Sequence, residues 1–145
     1  MSQSFQVTRR VEFRDTDMAG IVHFSVFFTY MEQVEHEFLR SLGLGVIAEV
    51  EGREISWPRV SAGCDYRRAI KFEQLIDITL RIARIGEKSV TYDFRFEHAG
   101  QLVAEGRITA VCCLFQHGVP PQSVPIPDLL REKLGPYLID SADGG

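Results

Sequence analysis

Cysteine is scarce in this sequence: Cys64, Cys112 and Cys113 are the only three in 145 residues. An odd count, with two of the three adjacent and so directed to opposite faces of a strand, excludes a disulfide framework. Metal-ligand spacings such as C-x-x-C or H-E-x-x-H are absent, and Glu32-Gln33-Val34-Glu35-His36 has one His where a helical zinc motif needs two. No metal site is expected. No apolar run approaches the length that spans a bilayer, and Met1-Ser2-Gln3-Ser4-Phe5 lacks a basic stretch ahead of an apolar one. The expectation is a soluble, cytoplasmic protein without membrane insertion. Positive charge is not in excess either: 16 basic residues against 20 acidic ones leave a net charge of -4, which argues against nucleic acid as a partner. Internal repeats and low-complexity segments are missing.

What the chain does have is apolar content arranged with regular periods. At 45% hydrophobic it can bury its own core, and residues 1–145 read as one domain. From Phe5 to Phe13 the odd positions are Phe, Val, Arg, Val and Phe, alternating with polar residues, which predicts an opening strand. Asp15-Thr16-Asp17-Met18-Ala19-Gly20 then reads as a turn. Phe27, Met31, Val34, Phe38 and Leu42 recur at helical steps and predict a helix of about 25 Å, with Ser25 as its cap, Gly43 at its end and Glu32, Glu35 and Glu37 on its wet edges.

Beyond the helix the period changes to two. Arg53 to Tyr66, interrupted by Pro58 and Gly63, predicts one or two irregular strands. Ile76 to Ala83, Val90 to Glu97 and the long apolar stretch Leu102 to Phe115 predict three more, joined at Gly86-Glu87 and Ala99-Gly100. Joints this short have no room for a crossover helix, so these strands are expected to be antiparallel neighbours. Both faces of the last one are apolar, and one is expected to meet another subunit. The tail, about 117–145, carries Pro120, Pro121, Pro125 and Pro127, then a short helix around Asp128 to Leu134 and a disordered end. The pattern is α+β, an antiparallel sheet wrapped around one long central helix.

The polar turn before the helix holds the chemistry. A helix N-terminus presents unpaired N–H groups and a partial positive charge, so a carbonyl placed there has a developing oxyanion stabilised. A carboxylate beside it can attack that carbonyl or activate water. Asp15 and Asp17 stand at this point, and residue types alone leave open whether they do so or merely form the turn. Of the histidines, His36 reads as packed or solvated and His98 and His117 as surface residues, while His23 lies inside the turn–helix segment.

Asp15-Thr16-Asp17-Met18-Ala19-Gly20-Ile21-Val22-His23-Phe24, followed by Phe27, Glu32 and Phe38-Leu39-Arg40, resembles the 4-hydroxybenzoyl-CoA thioesterase family, including its Tol-Pal-associated acyl-CoA thioesterase branch. The resemblance implies a hot dog fold, an active site at a subunit junction of a homodimer or homotetramer, and hydrolysis of an acyl-CoA or aryl-CoA thioester without a cofactor. It places the catalytic carboxylate on Asp17, as nucleophile or general base, and the carbonyl-polarising backbone N–H on Phe24, supported by His23. The phosphates of CoA fall to Lys88-Ser89 in a hairpin, with Arg59, Arg67, Arg68 and Arg84 as weaker candidates. Where many relatives carry an Arg three residues after the helix Glu, this chain has Glu35; Ala69 replaces a Pro, and Glu73-Gln74 replaces a Gly-Asp pair. Two other functions suit the same fold: an enoyl-thioester hydratase or dehydratase, and a non-catalytic binder of acyl-CoA or acyl carrier protein.

Overall fold

The computed structural model describes residues 2–140. Strand β1 (Phe5–Arg10) alternates half-buried and exposed residues as its period requires, with Phe5 and Val7 packed on the core. It stops short of Phe13. Asp15 Oδ2 accepts the Glu12 N–H at 2.9 Å and closes a single 3-10 turn, Phe13–Asp15, which buries Val11 and leaves Phe13 77% exposed.

Helix α1 (Val26–Ser41) buries Phe27, Tyr30, Met31, Val34, Phe38 and Leu39 along one face. Gly43 ends it at φ +78°, a conformation that costs glycine nothing. Ser25 precedes the helix, but its hydroxyl makes no capping bond and instead meets His23 Nδ1 at 2.8 Å.

Five strands form the main sheet: β4 (Arg59–Tyr66), β5 (Leu75–Ile85), β6 (Ser89–His98) and β7 (Gln101–Val111) join β1, and every pair is antiparallel. Their order across the sheet is β1-β5-β6-β7-β4. Ile76, Ile78, Leu80 and Ile82 of β5 and Val90, Tyr92, Phe94 and Phe96 of β6 belong to the same buried cluster as the apolar face of α1. Ala99 and Gly100 both take positive φ, 50° and 77°, which gives β6 and β7 the turn whose twist matches their own.

The long last strand expected to reach Phe115 is broken at Cys112. Its N–H donates to Lys88 O at 2.7 Å and its carbonyl accepts the Val124 N–H at 2.9 Å, so the backbone leaves the main sheet there. The next strand, β8 (Cys113–Leu114), joins a second sheet with β2 (Ala48–Val50), β3 (Arg53–Ser56) and β9 (Gln122–Ser123), in the order β2-β3-β8-β9. Trp57-Pro58 separates β3 from β4, as the proline predicted. Helix α2 (Asp128–Leu134) lies where it was expected and buries Leu130 and Leu134. The disorder expected at the end of the tail falls on 141–145, outside the described residues.

Glu73, where the resemblance places a glycine, takes φ +76° all the same. It is held by its N–H to Val11 O at 3.0 Å and by Arg10 Nη1 donating to its carbonyl at 3.0 Å.

Glu35 corrects the reading of the helix surface. It is 2% exposed rather than on a wet edge. Oε2 receives Arg59 Nη2 at 3.2 Å, while Oε1 has no partner among the described residues. Burial pushes this carboxyl above its ordinary value of 4.5, and the Arg59 cation offsets only part of that. In the unfolded chain the group loses its proton first, so stability present below about pH 4.5 is lost as pH rises through the raised folded value. Glu35→Gln keeps the shape and the Arg59 contact without the charge. It should gain on the native chain by about 1 kcal/mol near neutral pH, with the difference vanishing toward about pH 4. Thermal unfolding across that range checks this; a variant that is less stable at neutral pH contradicts it.

Candidate active site

The loop between the opening strand and α1 assigns its two aspartates different tasks. Asp15 Oδ2 accepts both the Glu12 N–H and the Tyr30 hydroxyl, each at 2.9 Å, and its carbonyl accepts the His23 N–H. Burial first, then the Asp15 carboxylate, hold the Tyr30 hydroxyl above its ordinary range, so it remains a donor. Asp15 is thereby occupied in tying the loop to the helix.

Asp17 is exposed and differently placed. Its N–H donates to Ile21 O and its carbonyl accepts the Gly20 N–H, both at 2.9 Å, with Gly20 at φ +78° completing the turn. Oδ1 accepts the Ala19 N–H at 2.8 Å, and Oδ2 has no partner among the described residues. The turn is held from outside as well: Val22 N–H donates to Ile70 O, and Ile21 bridges Lys71.

At the entrance to α1, most backbone donors have acceptors. Val26 N–H donates to His23 O at 2.9 Å, Phe28 N–H to Ser25 O at 3.1 Å and Ser25 N–H to His23 Nδ1 at 3.3 Å. Phe24 N–H has none among the described residues. A helix tip with a free donor is the arrangement a carbonyl oxygen can complete. The other end of this residue is fixed, because Tyr66 donates its hydroxyl to Phe24 O at 2.8 Å. Burial and the Cys64 thiol push the Tyr66 hydroxyl up, which keeps it protonated for that bond. Its ring stands edge-on to Phe27 at 5.2 Å, and Phe27 stands edge-on to Phe96 at the same separation.

A cleft of about 370 Å³ opens over these groups, lined by Asp17, Ile21, Val22, Phe24, Phe27, Tyr66, Arg67, Arg68, Ala69 and Ile70. The fold thus brings Asp17 and Phe24 together. His23 does not line the cleft; its ring accepts the Ser25 N–H and lies 4.6 Å from the Phe24 ring, so it supports the helix tip from behind. Lys88 lies in the β5–β6 turn and Ser89 opens β6, and neither lines the cleft; Arg59 is engaged with Glu35 and Glu32, the latter at 3.6 Å. Tyr66 escaped the sequence reading, because only the pairing of β4 with β7 carries that end of β4 to the helix tip.

Thiol chemistry does not compete with the carboxylate. Burial pushes Cys64 and Cys112 up to about 11, too high for a thiolate at neutral pH, and raises Cys113 as well. Among the described residues, no three His, Cys, Asp or Glu side chains gather as a metal ion would need.

The model of the Thioesterase-like superfamily matches residues 11–134. A 1,4-dihydroxy-2-naphthoyl-CoA hydrolase of Synechococcus elongatus is 27% identical over 131 residues, which is 90% of this chain and 94% of that protein. A solved gentisyl-coenzyme A thioesterase superposes with a TM-score of 0.77 at 28% identity, covering 90% of this chain and 99% of that one. A 1,4-dihydroxy-2-naphthoyl-CoA thioesterase from Synechocystis shares the fold, with a TM-score of 0.78 at 21% identity over 92% of this chain and 96% of that one.

Proposed function

We propose, because this chain belongs to the Thioesterase-like superfamily, that its Asp17 cleft is where a thioester is hydrolysed. The protein is an acyl-CoA or aryl-CoA thioester hydrolase, converting thioester and water to free acid and CoA. The observation that carries the site assignment is the pairing of an exposed carboxylate, one oxygen free, with a free backbone N–H at a helix tip in one cleft.

The thioester oxygen takes the Phe24 N–H, and the positive end of α1 stabilises the negative charge that grows on it. Asp17 Oδ2 then has two routes. It attacks the carbonyl carbon, expelling CoA thiolate and leaving an acyl anhydride that water cleaves; or it takes a proton from a water that attacks in its place. In both, the C–S bond breaks, a C–O bond forms and the thiolate departs to take up a proton. CoA is part of the substrate and no cofactor enters. His23 and Tyr66 act as positioning residues, through Ser25 and the Phe24 carbonyl. Phe24, Phe27 and Tyr66 offer ring surfaces suited to a flat acyl group, in keeping with the aromatic acids named for the relatives above.

The hot dog arrangement, with the main sheet curved about α1, and a homodimer or homotetramer complete this reading. Its support is strand β4. Among the described residues it is an edge strand paired with β7 alone, it is exposed along nearly its whole length, and it shows Val60 at 64% exposure. A bare edge of this kind is a template for pairing, and β4 of a second copy fits it. Because Tyr66 closes that strand, the junction adjoins the cleft. Within one chain Lys88-Ser89 stands apart from the cleft, so any contact of that hairpin with CoA there comes from another copy. We place the enzyme in the cytoplasm, a reducing compartment in which Cys64, Cys112 and Cys113 stay free.

Release of CoA thiol from aromatic, short-chain and long-chain acyl-CoAs tests the function. Hydrolysis of at least one class is expected, aromatic thioesters foremost; CoA binding without turnover of any thioester would make the protein a binder instead. Tyr66→Phe keeps the ring packing and loses the bond to Phe24 O. Its kcat should fall about tenfold with KM little changed, since a displaced oxyanion donor weakens transition-state contacts more than ground-state ones. An unchanged kcat would remove Tyr66 from the account.

A further inference from the structure

We infer that the Asp17 cleft takes an acyl group whose buried end is bare hydrocarbon, foremost a flat ring without hydroxyls, and that Val22, Phe27 and Ile70 set this preference; this rests on the thioesterase reading above.

The lining of the cleft divides by burial. Asp17, Tyr66, Arg67 and Arg68 are exposed, and among the described residues they supply all of its polar side chains. Val22, Phe27 and Ile70 line the same space with 5%, 3% and 1% of their surface exposed, so they form its floor. The reacting groups, Asp17 Oδ2 and the Phe24 N–H, belong to exposed residues at the rim. CoA is too polar for a hydrocarbon floor. From a thioester held at the rim it is therefore the acyl group that goes inward.

The floor offers that group no hydrogen bond from a side chain, and it is held in place. Val22 N–H donates to Ile70 O at 2.8 Å, which joins two of the three residues through their backbones. The Phe27 ring packs edge-on against Phe96 and Tyr66, each at 5.2 Å, and against Tyr30 at 6.3 Å, so it cannot swing aside to admit water. Of the two hydroxyls carried by those neighbours, Tyr30 donates its proton to Asp15 Oδ2 and Tyr66 to Phe24 O. A hydroxyl on the buried part of the acyl group would lose its hydration and gain no partner, which lowers kcat/KM by about tenfold to a hundredfold. The 1,4-dihydroxy-2-naphthoyl-CoA hydrolase to which this chain is similar is named for a hydroxylated ring, so the floor predicts a divergence from it.

Steady-state hydrolysis by the full-length native chain, comparing methylbenzoyl-CoA with hydroxybenzoyl-CoA at the 3- and 4-positions, tests the inference. Methyl and hydroxyl are alike in size. At the 3-position the hydroxyl draws electrons from the carbonyl and by itself speeds attack, so a preference for methyl there reports the pocket. In both pairs kcat/KM should favour the methyl compound by about tenfold or more. Val22→Thr puts a hydroxyl on the floor with little change of shape and should narrow that ratio by about fivefold or more; Ile70→Thr makes the same measurement from the adjoining position. Equal kcat/KM within both pairs, or a preference for hydroxyl, would overturn the inference and leave the thioesterase reading standing. So would ratios that neither variant moves while its melting temperature stays near the native one, because the preference would then arise elsewhere. Hydrolysis of none of the four thioesters, nor of any straight-chain acyl-CoA, would instead take away the thioesterase reading, and this inference with it.

Discussion

Asp17→Asn should lower kcat for thioester hydrolysis by about a thousandfold, the scale of a lost general base or nucleophile, while CoA still binds. Asn has the shape of Asp, and its Oδ1 can still accept the Ala19 N–H that closes the turn. The turn is also held by backbone bonds from Asp17 to Ile21 and Gly20, which the substitution does not touch. An unchanged melting temperature is therefore expected alongside the lost activity. What disappears is the charge and basicity of Oδ2, which has no partner among the described residues, on a side chain that lines the cleft. Label found in Asp17 after a single turnover of the native enzyme in oxygen-18 water would identify the anhydride route, because only water opening an anhydride at the Asp17 carbonyl puts it there.

Gly63→Glu should weaken self-association of the chain roughly a hundredfold or more, and activity at dilute protein should fall with it. Gly63 lies within the bare edge strand β4, and a Cβ built there meets nothing within 4 Å. The chain alone can accommodate the new side chain, so any large effect must come from outside it. In a two-fold pairing of β4 with its copy, each introduced carboxylate enters the junction and approaches its symmetry mate. Sedimentation should show a shift toward monomer with unchanged circular dichroism, and activity should recover as protein concentration rises. An unaltered oligomeric state would contradict the pairing of β4 edges. Gly106, on the neighbouring β7, is the contrasting position: a Cβ there would run into Met31 Sδ, so substitution would disturb the protomer itself.

These two residues illustrate how much of the molecule its sequence discloses. The period-two runs of β5 and β6 and the helical period of α1 were legible because each element buries one continuous face, which leaves a regular apolar signal. Asp17 and Phe24 were legible only through a motif, since Asp in a turn has the same local appearance whether it ties a loop, as Asp15 does, or faces a cleft. Glu35 was misread because charge on a helix normally marks the wet side, and the Arg59 that reaches it from the surface comes from a strand 24 residues away. The break at Cys112 left no local trace, because both sheets accept apolar residues there and only the Lys88 and Val124 backbone bonds divert the chain. Tyr66 reaches the helix tip only through the pairing of β4 with β7, which no window of sequence contains.

The most direct measurement is a crystal structure of the Asp17→Asn variant with an uncleaved acyl-CoA bound. The thioester oxygen should sit within hydrogen-bonding distance of the Phe24 N–H, with the substituted side-chain amide beside the carbonyl carbon. A thioester lying elsewhere, with the Phe24 N–H still free, would contradict the mechanism.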